Sequence, residues 1–168
     1  KPDTWRLCKM NLAIRGISHN LGDKNASTFT EDLHKDRKVD FIMANPPFNL
    51  KDWRNEDELT KDPRWNGYAT PRVSNANYAW ILHMISKLDV SHGIAGFLLA
   101  NGALNDQDDL EIRKKLIEND KVEAIIVLPR DMFYTTDISV TLWIVNMNKK
   151  SRGTNNRCLR DRTGEILF

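Results

Sequence analysis

The sequence has 168 residues, 40% of them hydrophobic, which suits one domain with a real core, or the larger part of one. Its formal net charge of +2 is too small by itself to announce a nucleic-acid partner. No apolar run approaches the roughly 18 residues of a membrane-spanning helix, and Lys1-Pro2-Asp3-Thr4-Trp5 lacks the apolar stretch of a signal peptide. The first residue is not methionine, as expected of a piece cut from something longer. Cys8 and Cys158 form no C-x-x-C pair, and His19, His34, His83 and His92 do not cluster at ligand spacing. Neither a disulfide framework nor a metal site is expected, and a reducing cytoplasm fits better.

In chain order, Asp3 or Thr4 is placed to cap a helix over about 4–14 that carries Trp5, Leu7, Met10, Leu12 and Ile14, with Gly16 ending it. Residues 17–38 are mostly polar, with one short strand-capable piece at 26–29. Residues 39–44 are apolar on both faces apart from Asp40, the pattern of a strand in a parallel sheet covered by helices. Residues 49–73 form a long, charged, turn-rich loop, a length usually reserved for functional or mobile segments. Asn75 caps a helix to about residue 88, with Ala79, Ile81, Leu82, Ile85 and Leu88 inward. A buried strand follows at 93–100. Next comes an amphipathic helix at 108–118 with Leu110, Ile112, Leu116 and Ile117 inward. Buried strands are expected at 122–128 and 138–145. The link between them is short for a parallel crossover, so antiparallel pairing is predicted. The expected fold class is α/β, a three-layer sandwich with one antiparallel strand.

Ligands in such sheets sit at the carboxyl ends of strands, where "DFIMANPPFNL" stops its apolar run with Asn45-Pro46-Pro47-Phe48. Two prolines after a strand can simply turn the chain. They also remove two N–H donors and stiffen the backbone. The Asn45 side-chain oxygen and the Pro46 carbonyl are then two acceptors in one place, suited to the two N–H groups of an exocyclic amine or amide. Accepting both hydrogens raises electron density on that nitrogen and preorganises the site for the charge it develops on attacking an electrophile. Phe48 offers a flat apolar face for an extruded base.

These residues carry a family resemblance. "WRLCKMNLAIRGI", "DFIMANPPFNLKDW", "NANYAWILHMISKL", "GIAGFLLANGAL", "IRKKLIENDKVEAIIVLP" and "MFYTTDISVTLWIVN" together resemble the modification (methyltransferase) subunit of type I restriction–modification systems, across nearly the whole chain and in order. The resemblance implies a Rossmann-like S-adenosylmethionine-dependent methyltransferase fold and methylation of adenine N6 in DNA. It implies that Asn45 and the Pro46 carbonyl hold the flipped adenine's amine while Phe48 stacks on the ring. It further implies partnership with DNA and with separate specificity and restriction subunits. A neutral, good leaving group lets positioning carry much of the catalysis.

The family's acidic-x-x-G-x-G cofactor loop does not occur here; Gly93 and Gly96 are a close glycine pair without that context. The resemblance places that loop before the first helix, so residues 1–168 read as a partial, N-terminally truncated methyltransferase domain expected to bind S-adenosylmethionine weakly or not at all. Ser27-Thr28-Phe29 takes the place of the family's D-[ST]-[LF] turn beside the cofactor adenine, with Ser27 in the acidic position. These three residues and Asn45 are the candidate cofactor contacts. Glu31 or Asp32 would be the substitute carboxylate, or else simply exposed charges.

Other readings stay open. Trp80 is expected in the core. Trp53 and Trp65, with nothing in the sequence to bury them, contact DNA or a partner, or pack locally; Phe48, Trp53 and Arg54 are the DNA-contact candidates, and Arg54 and Arg72 either reach phosphates or, as loop arginines usually do, solvate the surface. Asn75-Ala76-Asn77-Tyr78 is first a helix start, with a role near the target base as the alternative. Tyr134-Thr135-Thr136 begins a polar turn with no assigned chemistry. The basic tail at 149–168, with Lys149, Lys150, Arg152, Arg157, Arg160 and Arg162 against Asp161, is either a solvated loop or a phosphate contact. Methylation of an RNA base or a protein glutamine, and a catalytically incomplete docking domain, are the alternatives to DNA methylation.

Overall fold

The computed structural model describes residues 1–134, 137–150 and 160–168, in two units, Lys1–Arg37 and Lys38–Phe168. In the first unit, helix α1 (Pro2–Ile14) begins earlier than its sequence pattern suggests. Pro2 sits in the first turn, where its missing N–H costs nothing, and Asp3 follows where a carboxylate favours the helix dipole. Neither Asp3 nor Thr4 acts as a side-chain cap. The helix ends as expected: Gly16 takes the left-handed conformation, φ +64°, so that the N–H groups of Gly16 and Ile17 close on the carbonyls of Ala13 and Leu12. No residue of α1 is buried.

The strand expected at 26–29 is a turn. The Ser27 carbonyl accepts the Glu31 N–H at 2.9 Å, and its hydroxyl oxygen accepts the N–H groups of Phe29 and Thr30, both at 3.3 Å. A hydroxyl that satisfies nearby backbone donors competes with strand pairing, and here it wins.

The second unit is built on a four-stranded sheet in the order β1-β2-β4-β3. Its strands are β1 (Phe41–Ala44), β2 (Ile94–Ala100), β3 (Val122–Val127) and β4 (Val140–Asn146). β1 and β2 are parallel, and β4 runs antiparallel to both β2 and β3. The antiparallel pairing of the last two strands is therefore as predicted. The carboxyl ends of β1, β2 and β3 consequently share one edge of the sheet. Helix α2 (Asn77–Lys87) and helix α3 (Leu110–Glu118) connect the strands. α2 starts two residues past Asn75, whose side-chain oxygen accepts the Asn77 N–H at 2.9 Å.

The core is closed on one side of the sheet. Phe97 of β2 stacks on Trp143 of β4, with centroids 6.3 Å apart, and Tyr78 of α2 meets Trp143 edge-on at 6.4 Å. Ile81, Leu82, Leu99, Leu116 and Val145 are fully buried with them. Each contributes about 1.5–3 kcal/mol by leaving water. The Tyr78 hydroxyl donates to the Ala103 carbonyl at 2.7 Å, so the polar end of this ring is satisfied.

Four expectations need correction. Residues 39–44 do not form a strand covered on both faces: Phe41 is 73% and Met43 94% exposed. Their register partners are Ile94 and Gly96, whereas Ile42 and Ala44 lie beside the buried Ala95 and Phe97. Ile117 of α3 is exposed rather than inward, because only Ile112 and Leu116 are buried in that helix. The outer end of β3 is open at Ile126 and Val127.

The fourth concerns the basic tail. The Lys149 ammonium is enclosed, pairing with Asp120 and donating to the Glu165 carbonyl at 2.8 Å. Arg160 pairs with Glu165 and Arg162 with Glu123. Leu167 lies parallel to β3, donating to the Glu123 carbonyl at 3.0 Å and accepting from the Ile125 N–H at 2.9 Å. These basic residues thus fasten a segment over the sheet's edge, a common way to cover an open strand. Arg152, Arg157, Cys158, Thr135 and Thr136 lie outside the described residues.

Candidate functional site

Pairing of β1 with β2 ends at Ala44 opposite Phe97. The chain then leaves the sheet as Asn45-Pro46-Pro47-Phe48, and the prolines have no N–H to continue the ladder. Pro46 is buried, Phe48 half-buried, and Asn45 and Pro47 exposed. Among the described residues, neither the Asn45 carboxamide nor the Pro46 carbonyl takes part in a hydrogen bond. Two adjacent acceptors are thus left open at the carboxyl edge of a parallel strand pair, where α/β sheets hold ligands.

Phe48 does not stand alone. The ring of Phe133 meets it edge-on, with centroids 5.8 Å apart and planes at 62°. Phe133 belongs to the connection between β3 and β4, which the topology delivers to the same edge as Asn45. No role is visible for it in the sequence alone. The signal that would have found it is positional: an aromatic residue just past the carboxyl end of a strand parallel to β1. Two rings beside an acceptor pair suit a flat heterocycle that carries an amine.

Trp53 and Arg54, expected as DNA contacts, lie inside the long loop. Trp53 is 7% exposed, donates its indole N–H to the Arg72 carbonyl at 2.8 Å and meets Trp65 edge-on at 6.1 Å. Arg54 is 9% exposed and donates to the carbonyls of Asn55, Glu56, Glu58 and Pro71 at 2.8–2.9 Å. Trp65 is also buried, with its N–H on the Leu59 carbonyl at 2.8 Å. Apart from a 3-10 turn at Pro63–Trp65 the loop has no regular secondary structure to partner its backbone carbonyls, and a guanidinium can gather several of them at once. The loop is thus a folded unit with its own small core, and the exposure needed for base stacking or phosphate contact is absent at Trp53 and Arg54.

Arg72 is likewise occupied. It pairs with Asp106 and Asp108, and with the buried Asp109 at 3.2 Å. This ties the end of the long loop to the segment after β2. Burial pushes the Asp109 carboxyl above its ordinary value, and Asp106 and Asp108 add to the rise while Arg72 opposes it.

The candidate cofactor residues belong to the first unit. The lone pairs of the Ser27 hydroxyl are engaged in the turn and the Phe29 side chain is buried. Glu31 pairs with Lys24, and the Asp32 carboxylate accepts the His34 N–H at 2.9 Å. Gly93 marks a close backbone approach rather than a ligand cradle, since a Cβ there would come within 2.6 Å of the Asp89 carbonyl oxygen. Among the described residues no group of three or more His, Cys, Asp or Glu side chains is arranged for a metal ion. No described helix is long and apolar enough to cross a membrane.

The chain is 49% identical over 169 residues to the type I restriction enzyme HindI methylase subunit of Haemophilus influenzae, covering 99% of this chain and 35% of that protein. It is 39% identical over 153 residues to the MjaIX methylase subunit of Methanocaldococcus jannaschii, covering 88% of this chain and 27% of that one. The chain therefore spans about a third or less of these relatives. The crystal structure of a type I restriction–modification methyltransferase subunit from Streptococcus thermophilus superposes with a TM-score of 0.77 at 25% identity, over 95% of this chain and 37% of that one. The type I restriction enzyme EcoKI M protein shares the fold, with a TM-score of 0.68 at 22% identity, over 98% of this chain and 32% of that one. The N-6 DNA Methylase family matches residues 1–168, and the chain belongs to that family.

Proposed function

We propose that residues 1–168 form part of the catalytic domain of a type I restriction–modification methylase subunit, and that Asn45 to Phe48 hold the adenine whose N6 receives the methyl group. The observation that carries this reading is the open acceptor pair of Asn45 and Pro46 beside the Phe48–Phe133 ring pair. An adenine turned out of the duplex would direct its two N6 hydrogens to the Asn45 oxygen and the Pro46 carbonyl and lay its ring against Phe48. As the nitrogen bonds to the methyl carbon, the donor's sulfur–methyl bond would break to leave a neutral thioether, and the nitrogen would take up the positive charge. The two acceptors stabilise that charge and need no reorganisation to do so. The methylated nitrogen, now strongly acidic, would then release one proton to water, so no strong base is required at Asn45.

S-adenosylmethionine is the methyl donor that this family membership supports. The described residues do not by themselves fit it: Ser27 and Phe29 are engaged in their own turn, and Gly93 marks a close backbone approach. DNA, a specificity subunit and a restriction subunit are the proposed partners, in the cytoplasm. The names of the related proteins support the type I assignment.

The test is product analysis. The complete methylase subunit that contains this chain, assembled with its specificity subunit, is given S-adenosylmethionine labelled in the methyl group. Label recovered as N6-methyldeoxyadenosine supports the reading. Label found only in RNA or in a glutamine amide, or no transfer to any acceptor, contradicts it.

A further inference from the structure

Directly behind Phe48, three asparagines fasten the turn to the start of α2. The Asn49 N–H donates to the Asn77 side-chain oxygen at 3.0 Å. The Asn77 side-chain NH2 donates back to the Asn49 side-chain oxygen at 2.9 Å, and Asn75 donates to that same oxygen at 3.2 Å. A backbone N–H can only donate, so the Asn77 oxygen must face it and the NH2 must face Asn49. Asn77 is 2% exposed, and its carboxamide is spent on this exchange. Asn49 sits at φ +52°, a left-handed conformation that asparagine tolerates better than most residues. Beyond it, the Ala76 N–H reaches the Leu50 carbonyl at 2.9 Å and the Asp52 N–H reaches the Val73 carbonyl at 3.1 Å.

The four motif residues are therefore slung between two fixed points. On one side Ala44 is paired with Phe97 in the sheet; on the other Asn49 is locked to Asn77. Where Asn45 and Phe48 point depends on both. We propose that Asn77 is a positioning residue for the amine-acceptor site. It holds Asn49 in its left-handed turn and so sets the Asn45 acceptor and the Phe48 ring. This rests on the reading of Asn45 to Phe48 given above.

The roles of the two asparagines differ in a way that can be measured. Asn49's side chain only accepts in this exchange, whereas Asn77's both donates and accepts. A carboxylate is nearly isosteric with a carboxamide but cannot donate. Asn49→Asp keeps both incoming hydrogen bonds, while Asn77→Asp sets a negative oxygen against the Asn49 oxygen.

The experiment uses the complete methylase subunit in its assembled complex. It compares wild type, N77A, N77D, N49A and N49D in single-turnover methyl transfer, DNA binding and amide exchange over residues 48–52. Expected are transfer rates about 100-fold lower in N77A, N77D and N49A, with DNA affinity within about threefold of wild type, and recovery in N49D to within about threefold. Exchange over 48–52 should quicken in the three slow variants alone. Wild-type transfer by N77D, or equal loss in N49A and N49D, would overturn the proposal. Should the Asn77 variants fail to fold, the N49A and N49D pair still decides. A wild-type complex that moves no methyl group to DNA adenine would defeat the functional reading instead, and amide exchange would still judge the Asn77–Asn49 link.

Discussion

Phe48 and Phe133 are 85 positions apart, yet their rings meet edge to face with centroids 5.8 Å apart. β1 and β3 point the same way in the sheet, so the segments leaving them emerge at one edge. In the proposed site the contact would make Phe133 a second wall beside the acceptor pair. Replacing it with alanine should weaken stacking on an extruded base, worth about 1–3 kcal/mol per base. Phe133→Ala should therefore lower fluorescence from 2-aminopurine placed at the target adenine's position, or shift its titration, while the melting temperature moves little. An unchanged titration would remove Phe133 from the site.

Arg54 gives a second prediction. It gathers four backbone carbonyls of the long loop. Lysine keeps the charge but lacks the planar fork. With hydrogen bonds to a charged group worth about 1.5–3 kcal/mol each, Arg54→Lys should loosen the loop by about 2–4 kcal/mol. Limited proteolysis should then cut between residues 55 and 73 where wild type resists. If proteolysis is unchanged and DNA affinity instead falls with a shallower salt dependence, Arg54 is a phosphate contact after all.

The difference between these two residues shows what could be read in advance. The buried β2, helix α2 and the antiparallel last strand follow from apolar runs, helical spacing and a short link, all local signals. So does the placement of Asn45 at a strand's carboxyl end. The burial of Arg54 is not legible locally, because an arginine in a polar loop gives no sign that several carbonyls will turn towards it. The exposure of Phe41 and Met43 is not legible either, because an apolar run suggests cover on both faces whether or not the chain itself supplies it. The turn at Ser27 escapes periodicity, because its own hydroxyl decides the hydrogen bonding of so short a segment. Phe133 could be placed only once the strand order was known.

Asp109 carries a pH prediction. Burial raises its carboxyl above the ordinary 3.8, with Arg72 opposing. A raised value in the folded state means that folding favours the protonated form, so stability associated with it is present below 3.8 and lost as pH rises through the raised value. Asp109→Asn keeps a neutral group of the same shape. It should match wild type at low pH and be equally or more stable above the raised value, in thermal melts taken from pH 3 to 8. A variant less stable than wild type at neutral pH would mean that the Arg72–Asp109 pair outweighs the cost of burying the charge.

Lys149 tests the account of the tail. Its ammonium is enclosed between Asp120 and the Glu165 carbonyl. Lys149→Ala leaves a partly buried carboxylate without its partner, and should cost about 1–3 kcal/mol. Amide exchange at Ile125 and Leu167 should quicken, because their N–H groups reach the Leu167 and Glu123 carbonyls only while the segment stays in place. Unchanged exchange there would show that the segment holds without Lys149.

The central claim is that Asn45 accepts the amine that is methylated. Single-turnover methyl transfer by the complete methylase complex, wild type against Asn45→Ala, tests it most directly. Loss of one preorganised hydrogen-bonding partner to developing charge predicts a rate lower by about 100-fold or more, with DNA and S-adenosylmethionine affinities retained. Transfer by Asn45→Ala at the wild-type rate would contradict the account.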